Sequence, residues 1–413
     1  MKKTSIAISF VIYGLVQGCN PGNHDFAQWR GPDRTGIYPE TGLLDQWPEN
    51  GPELLWTYEG IGRGYAAPAV TEDKIFVNGE QEDKSYLYAL DREGNLLWRS
   101  PNGDEFLGEG FSSTYPGARS TPTVMGNLVY TSSGEGRIAC FEASTGTEKW
   151  ALSIVDDLGG EVGIFGYSES VAVDKDHVYC FPGGSETNLA ALDRFTGEIA
   201  WSSEALRDTF AYGSPVLVDL PARQILITTS RHHLFVLDRS NGENLGSYKI
   251  EGYEYDGEHC NTLVYTGGHI YFVANDIPGQ GAVKLELSQD GERITEVWRN
   301  PEIMNNFGGL IAVNDHLFTM VKGNRLVSLD PENGTVADSI SVATGSIAYA
   351  DNKFFCYGNN GTINLVTYNQ GKLEVTGKLK IREGTGHHFS HPVLANGKMY
   401  IRHGNAIMAY RIE

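Results

Sequence analysis

The 413-residue sequence predicts an all-β protein, a single eight-bladed β-propeller of four-stranded blades closed by an N-terminal strand pairing with the last blade. Three observations predict it. Trp56, Trp98, Trp150, Trp201 and Trp298 are spaced 42, 52, 51 and 97 residues apart, the last gap being two periods. Strand-pair starts recur eight times, and a period of ~40–50 residues with four strands per unit is the signature of a propeller. The eighth unit, 390–412, holds only three strands, while a strand-like ELLWTY at 53–58 precedes the first unit. A missing fourth strand leaves an exposed edge, so 53–58 is expected to pair with 405–412 and seal the ring.

The repeated phrase is fullest as ALDRFTGEIAW at 191–201. CFEASTGTEKW at 140–150 keeps its spacing, and ALDREGNLLW at 89–98 is one residue shorter. VLDRSNGENLG at 236–246 has Gly246 in place of Trp, and SLDPENGTVAD at 328–338 keeps Asp330 and the Asn-Gly turn without the Trp. Physically this is a hairpin. An apolar strand runs into Asp, whose carboxylate accepts turn N–H groups, and Gly supplies the positive φ that the turn needs. The flat Trp that follows can pack between adjacent sheets. Upstream strand pairs begin at Pro68, Pro122, Ser170, Pro215, Thr262, Leu310, Ile347 and Pro392.

Composition agrees with this. Glycine, at 50 residues, is about 12% against the usual ~7%, while Pro is only 16, so the excess suits turns rather than linkers. With 40% hydrophobic and 20% charged residues the chain can bury a sizeable core. The net charge of −20 and the lack of any Lys/Arg run longer than two disfavour nucleic acid as a partner. Lys2 and Lys3 precede a short apolar run from Ile6 to Val16, which ends in Val16-Gln17-Gly18-Cys19. That pattern predicts a signal peptide at 1–18 and resembles a bacterial lipobox, which makes Cys19 the lipidation site. The remaining chain divides into an extended segment at 19–52 and the propeller at 53–413. An exported protein is expected, lipid-anchored to the outer membrane and facing the periplasm. Cys140, Cys180 and Cys356 lie in apolar strand-like runs and read as buried; with Cys260 they form no CxxC or adjacent pair, and their disulfide state is left open.

The AxDxxTGxxxW phrase resembles the Trp-docking motif of the quinoprotein-type (PQQ-like) propellers, and the resemblance covers about residues 26–412. QWRGP at 28–32, GLLDQWP at 42–48 and GTGHHFSHPV at 384–393 are similar to a branch of exported bacterial PQQ-like repeat proteins often labelled BamB-like. The resemblance implies a protein-binding or scaffold module of the cell envelope, with the outer-membrane assembly machinery as its partner. The alternative it carries is a quinoprotein-like oxidoreductase or a small-ligand binder. The dehydrogenases of the group use a vicinal Cys-Cys pair, an Asp base and a Ca²⁺ held by carboxylate and amide groups. This chain has no Cys-Cys pair, so neither PQQ nor another cofactor is expected. GxSxG, HExxH, P-loop and EF-hand signatures are also absent.

Residues just before each innermost strand line one mouth of a propeller channel. Here they form a polar ring: Arg63 and Tyr65; Arg119; Tyr167 and Glu169; Tyr212; His259 and Asn261; Asn305 and Asn306; Ser346; and His387, His388 and His391. Such a ring suits either a hydrated funnel or a pocket for a small polar or anionic ligand. The three histidines, with His259 and Glu258, invite a metal. Adjacent residues of an extended segment point apart, however, so at most two of the three can face one ion and no metal is expected. His232-His233 is expected to face solvent or a rim, and Tyr253 and Tyr255 could anchor a partner.

Overall fold

The computed structural model describes residues 26–184, 187–205, 208, 211–250, 260–274, 279–306 and 308–413. Eight antiparallel sheets form the eight blades. Blades 1 to 8 run over 69–104, 123–153, 172–204, 216–249, 264–300, 310–341, 345–380 and 393–411. The eighth is completed by Leu54–Tyr58, which pairs antiparallel with Ala406–Arg411. Apart from one 3₁₀ turn at Ser112–Thr114, no helix occurs among the described residues. The signal peptide, Cys19, His259, Glu258, Tyr253 and Tyr255 lie outside the described residues.

Within each blade the second and third strands are buried on both faces, as in Phe354, Phe355, Cys356 and Tyr357 of blade 7. Both faces of a blade are therefore apolar, and each must be covered by a neighbouring blade. The Trp–turn contact holds the outer ends of these interfaces together. Trp150 of blade 2 donates its indole N–H to the Arg194 carbonyl of blade 3 at 3.0 Å, and Trp201 of blade 3 donates to Arg239 of blade 4 at 3.1 Å. Trp56, Trp98 and Trp298 repeat the bond to Arg92, Ala143 and Pro331. Each ring lies flat on the glycine of that turn. A Cβ on Gly197 would sit 2.7 Å from Trp150, and φ is +77° there, so steric and conformational needs both select glycine. In the same turns Asp193 accepts the N–H groups of Phe195 and Thr196.

Two of the three interfaces without the Trp use substitutes. Asp338 accepts the Leu373 N–H at 2.8 Å and the Lys372 ammonium at 3.0 Å, which ties blade 6 to blade 7. Gly377, at the Trp position of blade 7, is covered by Trp47 from the N-terminal segment.

That segment is inserted into the ring. Phe26–Ala27 adds antiparallel to the innermost strand of blade 2, and Ile37 then pairs parallel with Tyr349 of blade 7. The innermost strands all run the same way, so the segment enters from one face, reverses within 28–36 and leaves by the face it entered. Two buried arginines fix the reversal. Arg34 donates to the carbonyls of Ser170 and Val171, just before blade 3, and of Pro215, just before blade 4. Arg30 donates to the Leu310 carbonyl of blade 6 at 2.7 Å. Burial pulls both guanidinium pKa values down to about 10, yet they remain charged at neutral pH. Arg402, fully buried, joins blade 8 to blade 1 through the Asn78, Ala66 and Gly62 carbonyls.

Two outcomes are expected from this geometry. A chain starting after Tyr58, or ending at Asn405, loses the seal of blade 8. It should show a broad, multi-step denaturant transition where the intact protein unfolds in one step; an unchanged single transition would contradict the closure. Separately, Trp150→Ala should destabilise by about 3–5 kcal/mol, the range for a large aromatic removed from a packed site. Gly197→Ala should destabilise through the same contact; both are read from denaturation midpoints.

Candidate functional site

At the mouth opposite the entry of the N-terminal segment the channel widens into a cavity of about 340 Å³. Its wall is largely aromatic. Tyr65 comes from the turn before blade 1, Phe111 and Tyr115 from the loop between blades 1 and 2, and Phe165 from the loop between blades 2 and 3. Tyr212 precedes blade 4 and Phe389 precedes blade 8. The rings brace each other. Phe165 meets Tyr212 edge-on at 6.1 Å, Tyr65 lies 5.3 Å from Phe389, and Phe389 stacks on Tyr115 at 6.1 Å. Trp29, from the reversal of the inserted segment, also lines the cup. It meets His391 edge-on at 4.5 Å and donates its indole N–H to Thr262 at 2.8 Å.

Five residues of the expected ring line this cup: Tyr65, Arg119, Tyr212, Asn306 and His391. The others stand elsewhere. Arg63 is half-exposed and pairs with Glu80 and Asp83. Asn261 is buried and structural: it donates to Val273 and Asn305 carbonyls and accepts the Gly309 N–H. Asn305 likewise donates to Thr319, and Ser346 to the Ser390 carbonyl. His387 is an exposed rim residue stacked on Phe389 at 5.0 Å. His388 turns away, stacking on His403 at 3.7 Å with Nδ1 2.7 Å from the Tyr357 hydroxyl. Burial, then the neighbouring His403, Lys380 and His387, hold its pKa down at about 4. No group of three His, Cys, Asp or Glu is arranged to hold a metal among the described residues. His232 and His233 clamp the buried Asp208 carboxylate, with Nδ1–Oδ distances of 2.6 and 2.8 Å. Cys140, Cys180 and Cys356 are buried, and Cys260 is a cup residue; none is bridged.

Beneath the cup wall lies a second layer of polar groups. Tyr167 donates to Glu169 Oε2 at 3.0 Å, and the Phe181 N–H donates to the same oxygen at 2.9 Å. Glu169 Oε1 is buried without a partner. Desolvation outweighs these bonds and the nearby Arg34 charge, and raises the carboxyl pKa to about 8. At neutral pH the protonated acid therefore predominates. Glu105, behind the loop that carries Phe111, is raised to about 7, again by burial first.

Phe111, Tyr115, Phe165 and Trp29 were not legible as site residues. They lie in inter-blade loops and in the inserted segment, where no repeat position marks them. The QWRGP phrase held the one available signal for Trp29.

Comparison with known proteins places the chain. Residues 83–337 match the family described as outer membrane protein assembly factor BamB. The chain belongs to the BamB family. The BamB of Kangiella koreensis is 25% identical over 224 residues, 52% of this chain and 50% of that protein. The BamB of Shewanella oneidensis is 22% identical over 320 residues, 73% of this chain and 71% of that one. This chain thus spans about half the length of the first of these relatives. Among solved structures, BamB from Moraxella catarrhalis superposes with a TM-score of 0.61 at 12% identity, covering 87% of this chain and 98% of that one. The quinohemoprotein alcohol dehydrogenase ADHIIG of Pseudomonas putida gives 0.53 at 15% identity, covering 92% and 79%. Both likenesses show the shared fold. Among the described residues the cup lining contains no Asp or Glu, and its one thiol, Cys260, has no adjacent cysteine in the sequence.

The raised Glu169 pKa sets a direction for pH. The native state keeps a proton that the unfolded chain, near 4.5, releases. The resulting stabilisation is full below about pH 4.5 and is lost as pH rises toward about 8. Glu169→Gln should therefore flatten the pH dependence of unfolding free energy between pH 5 and 8, by an amount of the order of a few kcal/mol. Denaturant titrations at three pH values test this; parallel profiles for the two proteins would count against a buried neutral acid.

Proposed function

We propose that this chain is an exported, lipid-anchored envelope protein whose propeller docks a protein partner during outer-membrane protein assembly. The name shared by its relatives, outer membrane protein assembly factor, supports the assembly role. One structural observation carries the docking. Leu107, Phe111, Val155 and Ile164 are 40–69% exposed and lie on two neighbouring inter-blade loops. Leu107 and Val155 share one groove, and Phe111 packs beside Phe165, which follows Ile164. Large apolar side chains gathered on one side of a ring, rather than scattered, mark an interaction surface. The groove also carries Asp104, Glu109, Glu135, Asp156 and Asp157 against Lys84 and Arg137. A partner segment with apolar residues flanked by Lys or Arg complements it. Lys2, Lys3 and the apolar run to Cys19 support export and anchoring.

Photocrosslinking in cells tests the reading. A photoreactive residue at position 111 should capture a component of the outer-membrane assembly machinery, and Leu107→Glu with Val155→Glu should abolish the adduct. Cys19→Ser should release the protein from the outer-membrane fraction. Recovery of no assembly component, or an adduct indifferent to the double substitution, would overturn the docking.

A further inference from the structure

The aromatic cup has a chemistry that protein docking does not require. The channel beneath is already filled by the inserted segment, so no packing need explains six further rings converging on a hollow. Their mutual edge-on and stacked contacts hold them in place without a ligand, which lowers the ordering cost of binding one. The volume of about 340 Å³ falls at the lower end of small-molecule sites, ~300–1,000 Å³.

Charge narrows the occupant. Arg119 lines the cup with its guanidinium over the Tyr65 ring, 5.5 Å from the centroid. Two of its nitrogens are held by the Gly117 and Tyr115 carbonyls, and no carboxylate pairs with it among the described residues. Aromatic walls without a positive charge would favour a cation. Here the fixed cation opposes that and favours an anion, with no acid in the lining among the described residues. A second group adds a polar requirement. Asn306 Oδ1 is buried at the cup without a hydrogen-bond partner, so it calls for a donor on the ligand.

We propose that the cup is a binding site for a small aromatic acid: a planar ring stacked among the Tyr and Phe side chains, a carboxylate on Arg119, and a hydroxyl or N–H donated to Asn306. The cup shares Phe111 with the docking surface, but Arg119, Asn306 and Phe389 lie outside the groove, so losing them leaves Leu107 and Val155 in place.

Calorimetric titration of the full chain with 6-hydroxy-2-naphthoate and its neutral amide, 6-hydroxy-2-naphthamide, tests the assignment. The acid should bind saturably and about tenfold more tightly than the amide, the difference set by one charge-assisted contact. Arg119→Gln should reduce that ratio to about twofold or less, whereas Phe389→Ala should weaken both probes and keep the ratio. Each variant is first matched to the parent by its thermal transition. If Arg119→Gln does not fold, the parent's acid-to-amide ratio and the Phe389→Ala series decide. No saturable binding of the acid, equal binding of acid and amide, or a ratio unchanged in a folded Arg119→Gln protein would overturn the site.

Discussion

A propeller blade has no face of its own to give to water. Its two middle strands are apolar on both sides, so every blade depends on two neighbours, and the ring holds only if it closes. The tryptophan on a glycine turn is how most of these interfaces are joined at their outer ends. The indole covers the peptide of the neighbouring turn and spends its N–H on a carbonyl beside it, so a large apolar group is buried with no polar atom stranded. Geometry makes the pair mutually exclusive of other residues: the ring needs a bare Cα beneath it, and the turn needs a positive φ. Two of the interfaces without an outer-strand Trp keep the principle with different chemistry, a carboxylate at Asp338 and the inserted Trp47 over Gly377.

The centre of the ring poses the opposite problem. Eight innermost strands leave a column lined by backbone carbonyls and small polar side chains. The inserted segment fills it, and the three buried arginines suit that lining because a guanidinium carries five donors in a rigid fork. Arg34 reaches carbonyls at two blades at once, which a lysine's single ammonium could not do in the same plane. Carbonyl dipoles, rather than carboxylates, offset the desolvation of these cations. Filling the column also ends it: Trp29 stands where a through-channel would otherwise run, and the upper space becomes a cup.

Legibility in the sequence followed this division. The blades were readable because the same contact recurs, so the pattern of Asp193, Gly197 and Trp201 repeats, whole or in part, at most interfaces; the eight starts and the sealing strand followed from counting it. Residues fixed by the ring as a whole occur once. Arg30, Arg34 and Trp47 have no counterparts elsewhere in the chain, and nothing in their spacing says that the first two enter the column or that Trp47 covers the outer strand of blade 7. The site was half legible for a related reason. Positions just before innermost strands are repeat positions, which located Tyr65, Arg119, Tyr212, Asn306 and His391. Whether such a residue faces the cup or the interface behind it depends on the twist of its own turn, and that sent Asn261 and Glu169 inward.

Burial of acids around the cup links its two layers. Glu169 sits directly behind Ser168 and Ser170, which line the cavity, and Glu105 sits behind the loop that carries Phe111. At neutral pH Glu169, raised to about 8, is largely protonated and Glu105, raised to about 7, about half so, which reduces the negative charge in the neighbourhood of Arg119. An ionised Glu105, which attracts Arg119 from a distance, would cancel part of the field that the guanidinium presents to the cup. The desolvation that raises these acids therefore also preserves the cup's positive potential. The net charge of the chain is −20, yet among the described residues the cup is lined by one cation and no anion. A strongly acidic surface and an anion-selective interior are compatible because the first is screened by solvent and the second is not.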